Sequence, residues 1–466
     1  MDARLTVAVI AGKATARSSR LLRRGGGTTL PGDVSRLVDG AALSKVTRQL
    51  SGGSVMVTGT NGKTTVTGMI VTALERAGRR VVSNASGANL IYGLTAAALA
   101  DAQVSGRPRS HIGVWEVDEL VLERAIAEVR PRVVVVTNFM RDQLDRSGEL
   151  QNTAGRVGRA LRALDGSARI VANVDDPHVW TQCEGLPRVL TVGIESDELV
   201  LPRLPHAADA RSCPHCGAPL SFTRVVLSHC GAYSCAKGDF ARPTPELAIT
   251  ALQAPSLDRL VLELSDGLCL RVAVGGVYNA YNAVLAAAAL RVLGLDDVDI
   301  PAGIAAFRPR FGRQESIRLH DREFRFLLAK NPSGFDEVLR TADELGGCTS
   351  YLVALNDGIA DGRDISWIWD VDFERLATST RRPQVVLSGR RAADLAVRLK
   401  YAGMPADRVL VEPSLESALL HAAASGDRSL PVAVLPTYTA MLELRAVAER
   451  AGAVEAFWAD GRRRAS

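Results

Sequence analysis

"TGTNGKTT", residues 58–65, is the stretch on which the fold turns. It follows a short apolar run, "SVMVT" (54–58), and opens a segment of helical spacing that stops at Gly78. Strand, glycine turn and helix together make a phosphate cradle. Gly59 and Gly62 let backbone N–H groups close around phosphate oxygens, and the helix N-terminus adds partial positive charge. Thr60, Asn61 and Thr65 complete the loop, Lys63 is placed to neutralise β/γ-phosphate charge, and Thr64 to hold Mg²⁺. The general P-loop has four residues between its glycines; this one has two. Glycine-rich strand–helix turns are common, but one followed by Lys-Thr-Thr points to a nucleoside triphosphate.

Further Val/Ile-rich runs follow: "RVVSN" (80–84), "IGVWEVD" (112–118), "RVVVVTNF" (132–139) and "ARIVANVDD" (168–176). Near-continuous apolar strands alternating with helical stretches predict a parallel sheet covered on both faces, an α/β class. Ligands bind such sheets beyond the C-terminal strand ends. Glu116 stands at one of those ends and is placed to hold Mg²⁺ directly or through water; a helix cap is the plain alternative. After a hinge near "FRPRFGRQE" (307–315), a second α/β unit is expected from "FRFLLAK", "TSYLVAL", "PQVVLSG", "DRVLVE" and "PVAVLP".

At 466 residues the chain exceeds one ordinary core. The division expected is a basic N-terminal arm (1–50), a nucleotide-binding unit (51–312) carrying an insertion (205–245), and a C-terminal unit (313–466). Hydrophobic content of 47% and a mean hydropathy of +0.07 describe a well-buried globular protein. A charge of +5, from 56 basic against 51 acidic residues, permits an anionic partner without demanding one. No run reaches a membrane span. The start is apolar and then basic (Arg17, Arg20, Arg23, Arg24), the reverse of a signal peptide, so a cytoplasmic protein is expected. The arm reads either as a solvated helix and turn or as a peripheral contact with an anionic membrane surface.

Four of the seven cysteines lie between 213 and 235. Cys213 and Cys216 have knuckle spacing, and Cys230 and Cys235 offer a second, irregular pair for a closed structural Zn²⁺ site. His229 is a weaker substitute for Cys230, and a knuckle without metal is the alternative. Cys183, Cys269 and Cys348 read as ordinary buried or strand-edge cysteines. "NDGIADGRDISWIWDVDFE" (356–374) gathers five Asp, one Glu and two of the five Trp. Acidic residues beside bulky aromatics mark a metal site, a docking face or only a loop between strands.

Taken together these motifs resemble the Mur ligase superfamily, the ATP-dependent ligases that build peptidoglycan stems. The shortened P-loop matches. "TNFMRDQLDRSGE" (137–149) is similar to its Asn and Asp-His-Leu-Asp segment, "YNAYNAVLAAAAL" to its adenine-contacting helix, "FGRQE" to its Gly-Arg-x-Glu entry, and "AKNPSGFDEVL" to its His-Asn-Pro opening. The resemblance implies an ATP-binding central domain and a Rossmann-like C-terminal domain. It implies adenine contact by Asn279 and Asn282, ATP-phosphate contact by Arg313, a substrate and Mg²⁺ side organised by Asn138 and Asp142, and acyl-phosphate contact by Arg313 and Lys330. Gln143 and Lys330 depart from the superfamily's histidines. With the Cys-rich insertion and the long acidic stretch, the chain resembles the MurT family, synthetase subunits of lipid II isoglutaminyl synthase.

That family activates the D-glutamate α-carboxylate of lipid II as an acyl phosphate. Ammonia from a GatD-type glutaminase subunit then forms D-isoglutamine. No cysteine here lies in the Gly-x-Cys-x-Gly elbow of such a glutaminase. The resemblance implies that Asp364, in "DGRDISW", completes the partner's Cys–His pair, with Trp367 and Trp369 anchoring the interface. One rival is a stand-alone Mur or folylpolyglutamate-type amino-acid ligase, against which the insertion and the acidic stretch argue. The other is a nucleic-acid-binding NTPase, which lacks an aromatic–basic strand pattern; no nucleic-acid partner is expected.

Overall fold

The computed structural model describes residues 2–21, 29–84, 88–142, 150–309 and 313–454. Its first sheet has nine strands: β1 (Ser54–Thr58), β2 (Val81–Ser83), β3 (Ile112–Glu116), β4 (Val133–Val136), β5 (Arg169–Asn173), β6 (Val189–Ile194), β9 (Leu247–Ser256), β10 (Arg259–Leu264) and β11 (Cys269–Val272). Between β6 and β9 the chain makes a separate hairpin of β7 (Leu220–Leu227) and β8 (Cys230–Cys235). The sheet order is β11-β10-β9-β6-β5-β4-β1-β3-β2. All pairs from β2 to β9 are parallel, and β10 and β11 close the far edge antiparallel.

Every residue of β1, β3 and β4 is buried. Successive side chains on a strand point to opposite faces, so the β1 run feeds two cores. Val55 and Val57 join one with Ile70 of the P-loop helix (Lys63–Arg76) and Leu285 of the helix Val277–Val292. Met56 joins the other with Trp115, Val134 and the helices Ile91–Asp101, Leu122–Val129 and Leu150–Arg162. Helices on both faces remove the backbone and the Val side chains from water, which is what the unbroken apolar strands require.

The N-terminal segment is not a detached arm. Its helix Ala3–Leu21 buries Leu5, Ala8 and Val9 in the second core and packs on the helix Leu30–Val38. Arg23 and Arg24, and the side chain of Arg20, lie outside the described residues. Among the described residues no helix is long and apolar enough to cross a membrane.

The second sheet holds β12 (Arg313–Leu319), β13 (Arg322–Leu327), β14 (Ser350–Ala354), β15 (Gln384–Ser388), β16 (Val409–Val411) and β17 (Val432–Pro436), in the order β12-β13-β17-β14-β15-β16. It is parallel from β13 to β16, with β12 antiparallel at its edge. Leu327, Tyr351 and Leu387 face one core; Phe324, Leu352 and Val386 face the other. All ten strands expected from the sequence form. The sequence pass leaves residues 247–272 unassigned. There β10 alternates buried positions with wetter ones, the signature of a strand with one wet face.

Candidate active site and metal centre

The P-loop runs from the end of β1 to the helix Lys63–Arg76. Gly59 and Gly62 have φ of +116° and +89°. A Cβ at Gly62 would stand 2.1 Å from Asn282 Oδ1, so position 62 excludes every side chain. The loop is pinned to the segment after β4. Thr60 N donates to Asn138 O (2.8 Å), Asn61 N donates to Asn138 Oδ1 (3.0 Å), and Asn138 Nδ2 donates to Asn61 O (3.1 Å).

Lys63 is 8% exposed and turned back on its own loop. Its ammonium donates to the carbonyls of Gly59 and Thr60 and to Glu119 Oε1, the last at 3.1 Å. Burial works against its charge, but Glu119, Glu116 and Asp118 more than offset that and hold it above the usual lysine range. Thr64 Oγ1 donates to Glu116 Oε2 at 2.7 Å. The two residues expected to hold Mg²⁺ are therefore already side by side. Asn84 fixes Glu116 by exchanging both backbone bonds with it, N–H to Asn84 Oδ1 (2.9 Å) and Asn84 Nδ2 to the carbonyl (2.7 Å).

A cavity of about 120 Å³ lies between the P-loop and the C-terminal unit. Its walls include Asn61, Gly62, Thr65, Asn138, Asn279, Asn282, Lys330 and Glu337. Asn279 Nδ2 donates to Gly275 O (2.7 Å), and Asn282 Nδ2 donates to Asn279 Oδ1 (3.0 Å). From the second sheet, Lys330 forms an ion pair with Asp142, and Asn331 Nδ2 donates to Asn61 Oδ1 (3.1 Å). Asn331 also caps the helix Pro332–Arg340 through Gly334 N (2.8 Å). Gln314 bonds both backbone groups of Gly275, at 2.9 and 2.7 Å. The side chain of Arg313 and the whole of Gln143 lie outside the described residues.

Most of the residues expected from the sequence thus meet in one cleft. Glu119, Asn84, Asn331, Gln314 and Glu337 were not anticipated. Asn331 carried a signal, an Asn directly before a helix-opening Pro. Glu119 stood in the carboxylate run after β3. The others had none, because their roles depend on which strands become neighbours.

The thiols of Cys213, Cys216 and Cys235 converge within 4.8 Å, and Cys216 and Cys235 Sγ stand 3.5 Å apart, all as free cysteines. The backbone N–H groups of Lys237, then Asp239, help hold the Cys235 thiol below its usual range. Three convergent soft donors with a supporting N–H group fit three of the four places around a tetrahedral zinc ion.

Cys230 is not part of this set, which corrects the expectation. It sits at the opposite end of β8, roughly 15 Å away along an extended strand. There it is buried with Asp176 and His229. His229 Nε2 lies 3.2 Å from Asp176 Oδ1, so it is no substitute ligand either.

The acidic stretch lies between β14 and β15, away from the cleft's nucleotide loop, and its carboxylates separate by role. Asp361 is buried and accepts from Thr439 N (2.7 Å). Asp370 pairs with Arg141 of the first unit at 2.9 Å. Asp364 is exposed, beside a hollow of about 390 Å³ lined also by Trp369, Arg391, Asp394 and Val397. The N–H of Ser366 donates to it at 2.8 Å and holds its carboxyl below the usual range. Trp369 is 50% exposed and meets Tyr401 edge-on at 5.5 Å. Trp367, by contrast, packs inward on Phe335 at 5.9 Å.

The Mur ligase middle domain model matches residues 57–211, and the MurT ligase C-terminal model matches residues 328–441. The MurT subunit of the glutamine-hydrolysing lipid II isoglutaminyl synthase of Streptococcus pneumoniae is 33% identical over 447 residues, 96% of this chain and 97% of the relative. The corresponding Staphylococcus aureus (strain N315) subunit is 31% identical over 415 residues, 89% of this chain and 91% of the relative. Among solved structures, a pseudomurein peptide ligase type C from Methanothermus fervidus superposes with a TM-score of 0.66. It does so at 21% identity, over 86% of this chain and 79% of that one, a likeness of fold. With a Mur ligase-like α/β fold and a MurT relative matched almost end to end, the chain belongs to the MurT family of lipid II isoglutaminyl synthase subunits.

Proposed function

We propose that the protein is the ATP-dependent synthetase subunit of a lipid II isoglutaminyl synthase. The observation that carries this is the P-loop cleft closed by Lys330 and Asn331, in a chain that a MurT relative covers over 96% of its length. The D-glutamate α-carboxylate of lipid II attacks the γ-phosphate in line, ADP leaves, and ammonia displaces phosphate from the acyl phosphate to form D-isoglutamine. Carboxylate and phosphate repel each other, so positioning by cations is the main requirement. Lys63 turns from Glu119 to the phosphates, and Arg313 serves the phosphates and, with Lys330, the acyl phosphate. Asn279 and Asn282 hold adenine, and Asn138 and Asp142 order the substrate side. Thr64 and Glu116 would hold Mg²⁺, which supplies charge neutralisation on the phosphates.

Residues 51–312 and 313–466 are the two working units, the second Rossmann-like, and the helices Ala3–Leu21 and Leu30–Val38 travel with the first. The insertion at 205–245 is a structural zinc ribbon in which Cys213, Cys216 and Cys235 supply three of the ligands. A GatD-type glutaminase docks on the Asp364–Trp369 hollow, and Asp364 orients its catalytic His. Exposed Val7 and Ile10, on the helix that also carries the exposed Arg4 and Arg17, support peripheral contact with the membrane that carries lipid II.

The test is ATP-dependent amidation of lipid II by the purified chain, with ammonium chloride or glutamine as nitrogen source. Product with ammonium alone is expected, and glutamine should serve only once the glutaminase is added. Addition of a free amino acid instead of ammonia would overturn the reading in favour of a stand-alone ligase.

A further inference from the structure

Glu337 lies on the inner face of the helix Pro332–Arg340, two turns beyond the Asn331 cap. It is 5% exposed and forms part of the cavity wall with Asn61, Asn138 and Lys330. Its Oε2 is sealed from solvent and has no hydrogen-bond partner. The nearest cation, Arg340, stands 3.9 Å from Oε1 and spends its N–H groups elsewhere, on the carbonyls of Val226 and Leu199 and on Glu344. Buried polar atoms are normally bonded, and an unpartnered one on a side chain that lines a ligand cavity is a functional candidate. Among the described residues the contact with Arg340 is the one ion pair of this carboxyl, which bonds no backbone group, caps no helix, and bridges no strands.

On the reading that the cleft amidates an acyl phosphate, we propose that Glu337 is the base that takes the proton from the attacking ammonia. The nitrogen lone pair forms the C–N bond as the C–O bond to phosphate breaks. One N–H proton moves to the Glu337 carboxylate and then to the departing phosphate, which leaves as hydrogen phosphate. The amide, the phosphate and a restored carboxylate balance the step. A base suited to this work titrates near the working pH. Burial, partly opposed by Arg340, raises the Glu337 carboxyl to about 7. The other charged groups facing it are Glu344 and Arg375 from the same end of the helix, the neighbouring Asp336, the Cys230 thiol from β8, and Lys330 across the cavity.

The experiment compares the full chain with Glu337→Gln and Glu337→Asp, using lipid II, ATP and either ammonium or hydroxylamine. Hydroxylamine is unprotonated and strongly nucleophilic at neutral pH, so it traps the acyl phosphate without needing a strong base. Glu337→Gln should keep hydroxamate formation within about threefold and lose about 100-fold in amide formation, the lower end of what a positioned base contributes. It should also lose the wild-type rate step near pH 7, and Glu337→Asp should recover part of both. Hydroxamate formation is itself the check that the variant folds and binds ATP. Equal loss of both products, or ammonium-dependent amide at the wild-type rate with the wild-type pH profile, overturns the proposal. Absence of both products from the wild-type chain would instead sink the underlying synthetase reading, and this one with it.

Discussion

Lys63 and Glu337 are both buried beside the nucleotide cleft, and their surroundings push them in opposite ways. Lys63 has three carboxylates nearby and stays charged. Glu337 has no committed partner, and burial favours its neutral form. In the unfolded chain a Glu titrates near 4.3, against about 7 in the fold. The stabilisation from its neutral form is therefore complete below about pH 4 and is lost as the pH rises through 7. Glu337→Gln should match the wild type in stability at pH 4. At pH 8 it should be more stable by on the order of 3 kcal/mol, the value of the full shift. Thermal unfolding at the two pH values measures this, and equal midpoints at pH 8 would mean the carboxyl is solvated or paired.

At the scale of the element, the β7–β8 hairpin does two jobs at its two ends. One end carries the thiols of Cys213, Cys216 and Cys235 with a small apolar cluster of Tyr233 and Phe240. The other end sends Val226, Leu227 and Cys230 into the main core beneath the cleft. Four residues of extended chain lie between Cys230 and Cys235, and no rotamer can close that gap. Metal analysis should therefore find about one zinc per chain in the wild type and in Cys230→Ser. Cys213→Ser and Cys235→Ser should lose it, with a melting point several degrees lower, because closure by the metal supplies much of what holds so small a module. Zinc lost from Cys230→Ser with Cys213→Ser unaffected would reverse this assignment. In the acidic stretch, the same element gives its carboxylates three different jobs. Asp361 ties the loop to Thr439, Asp370 ties it to Arg141, and Asp364 alone faces outward in the hollow beside Trp369.

At the scale of the whole molecule, the cleft exists because two units meet. Asn61 with Asn331, Asp142 with Lys330, Ser228 with Ser333 and Arg141 with Asp370 all cross between them. The Asp364 hollow belongs to the outer surface of the second unit and stands apart from this chemistry. Asp364→Asn should therefore abolish glutamine-driven amidation by the assembled complex and leave ammonium-driven amidation within about twofold. A triad carboxylate acts by orienting a His, and its removal costs about 10⁴-fold in such systems. A parallel loss with ammonium would show that Asp364 serves the synthetase cleft instead.

The local sequence was enough for whatever depends on neighbours in the chain. The glycine turn, Lys63 and Thr64 are set by a strand running directly into a helix, and the Val runs of β1 and β4 announce a sheet covered on both faces. The buried Val-rich strands were legible for that reason, and β10 and β11, at the antiparallel end of the first sheet, were missed because one of their faces is wet. Tertiary structure alone decided which distant residues meet. It set Glu119 against Lys63, moved Cys230 from a metal site to the core, turned Trp367 inward and Trp369 outward, and left Glu337 in the cavity wall with Oε2 unpartnered. Spacing along the chain specifies the face of a strand or helix; burial, pairing and the charge state of a side chain depend on what the folded chain brings across from it.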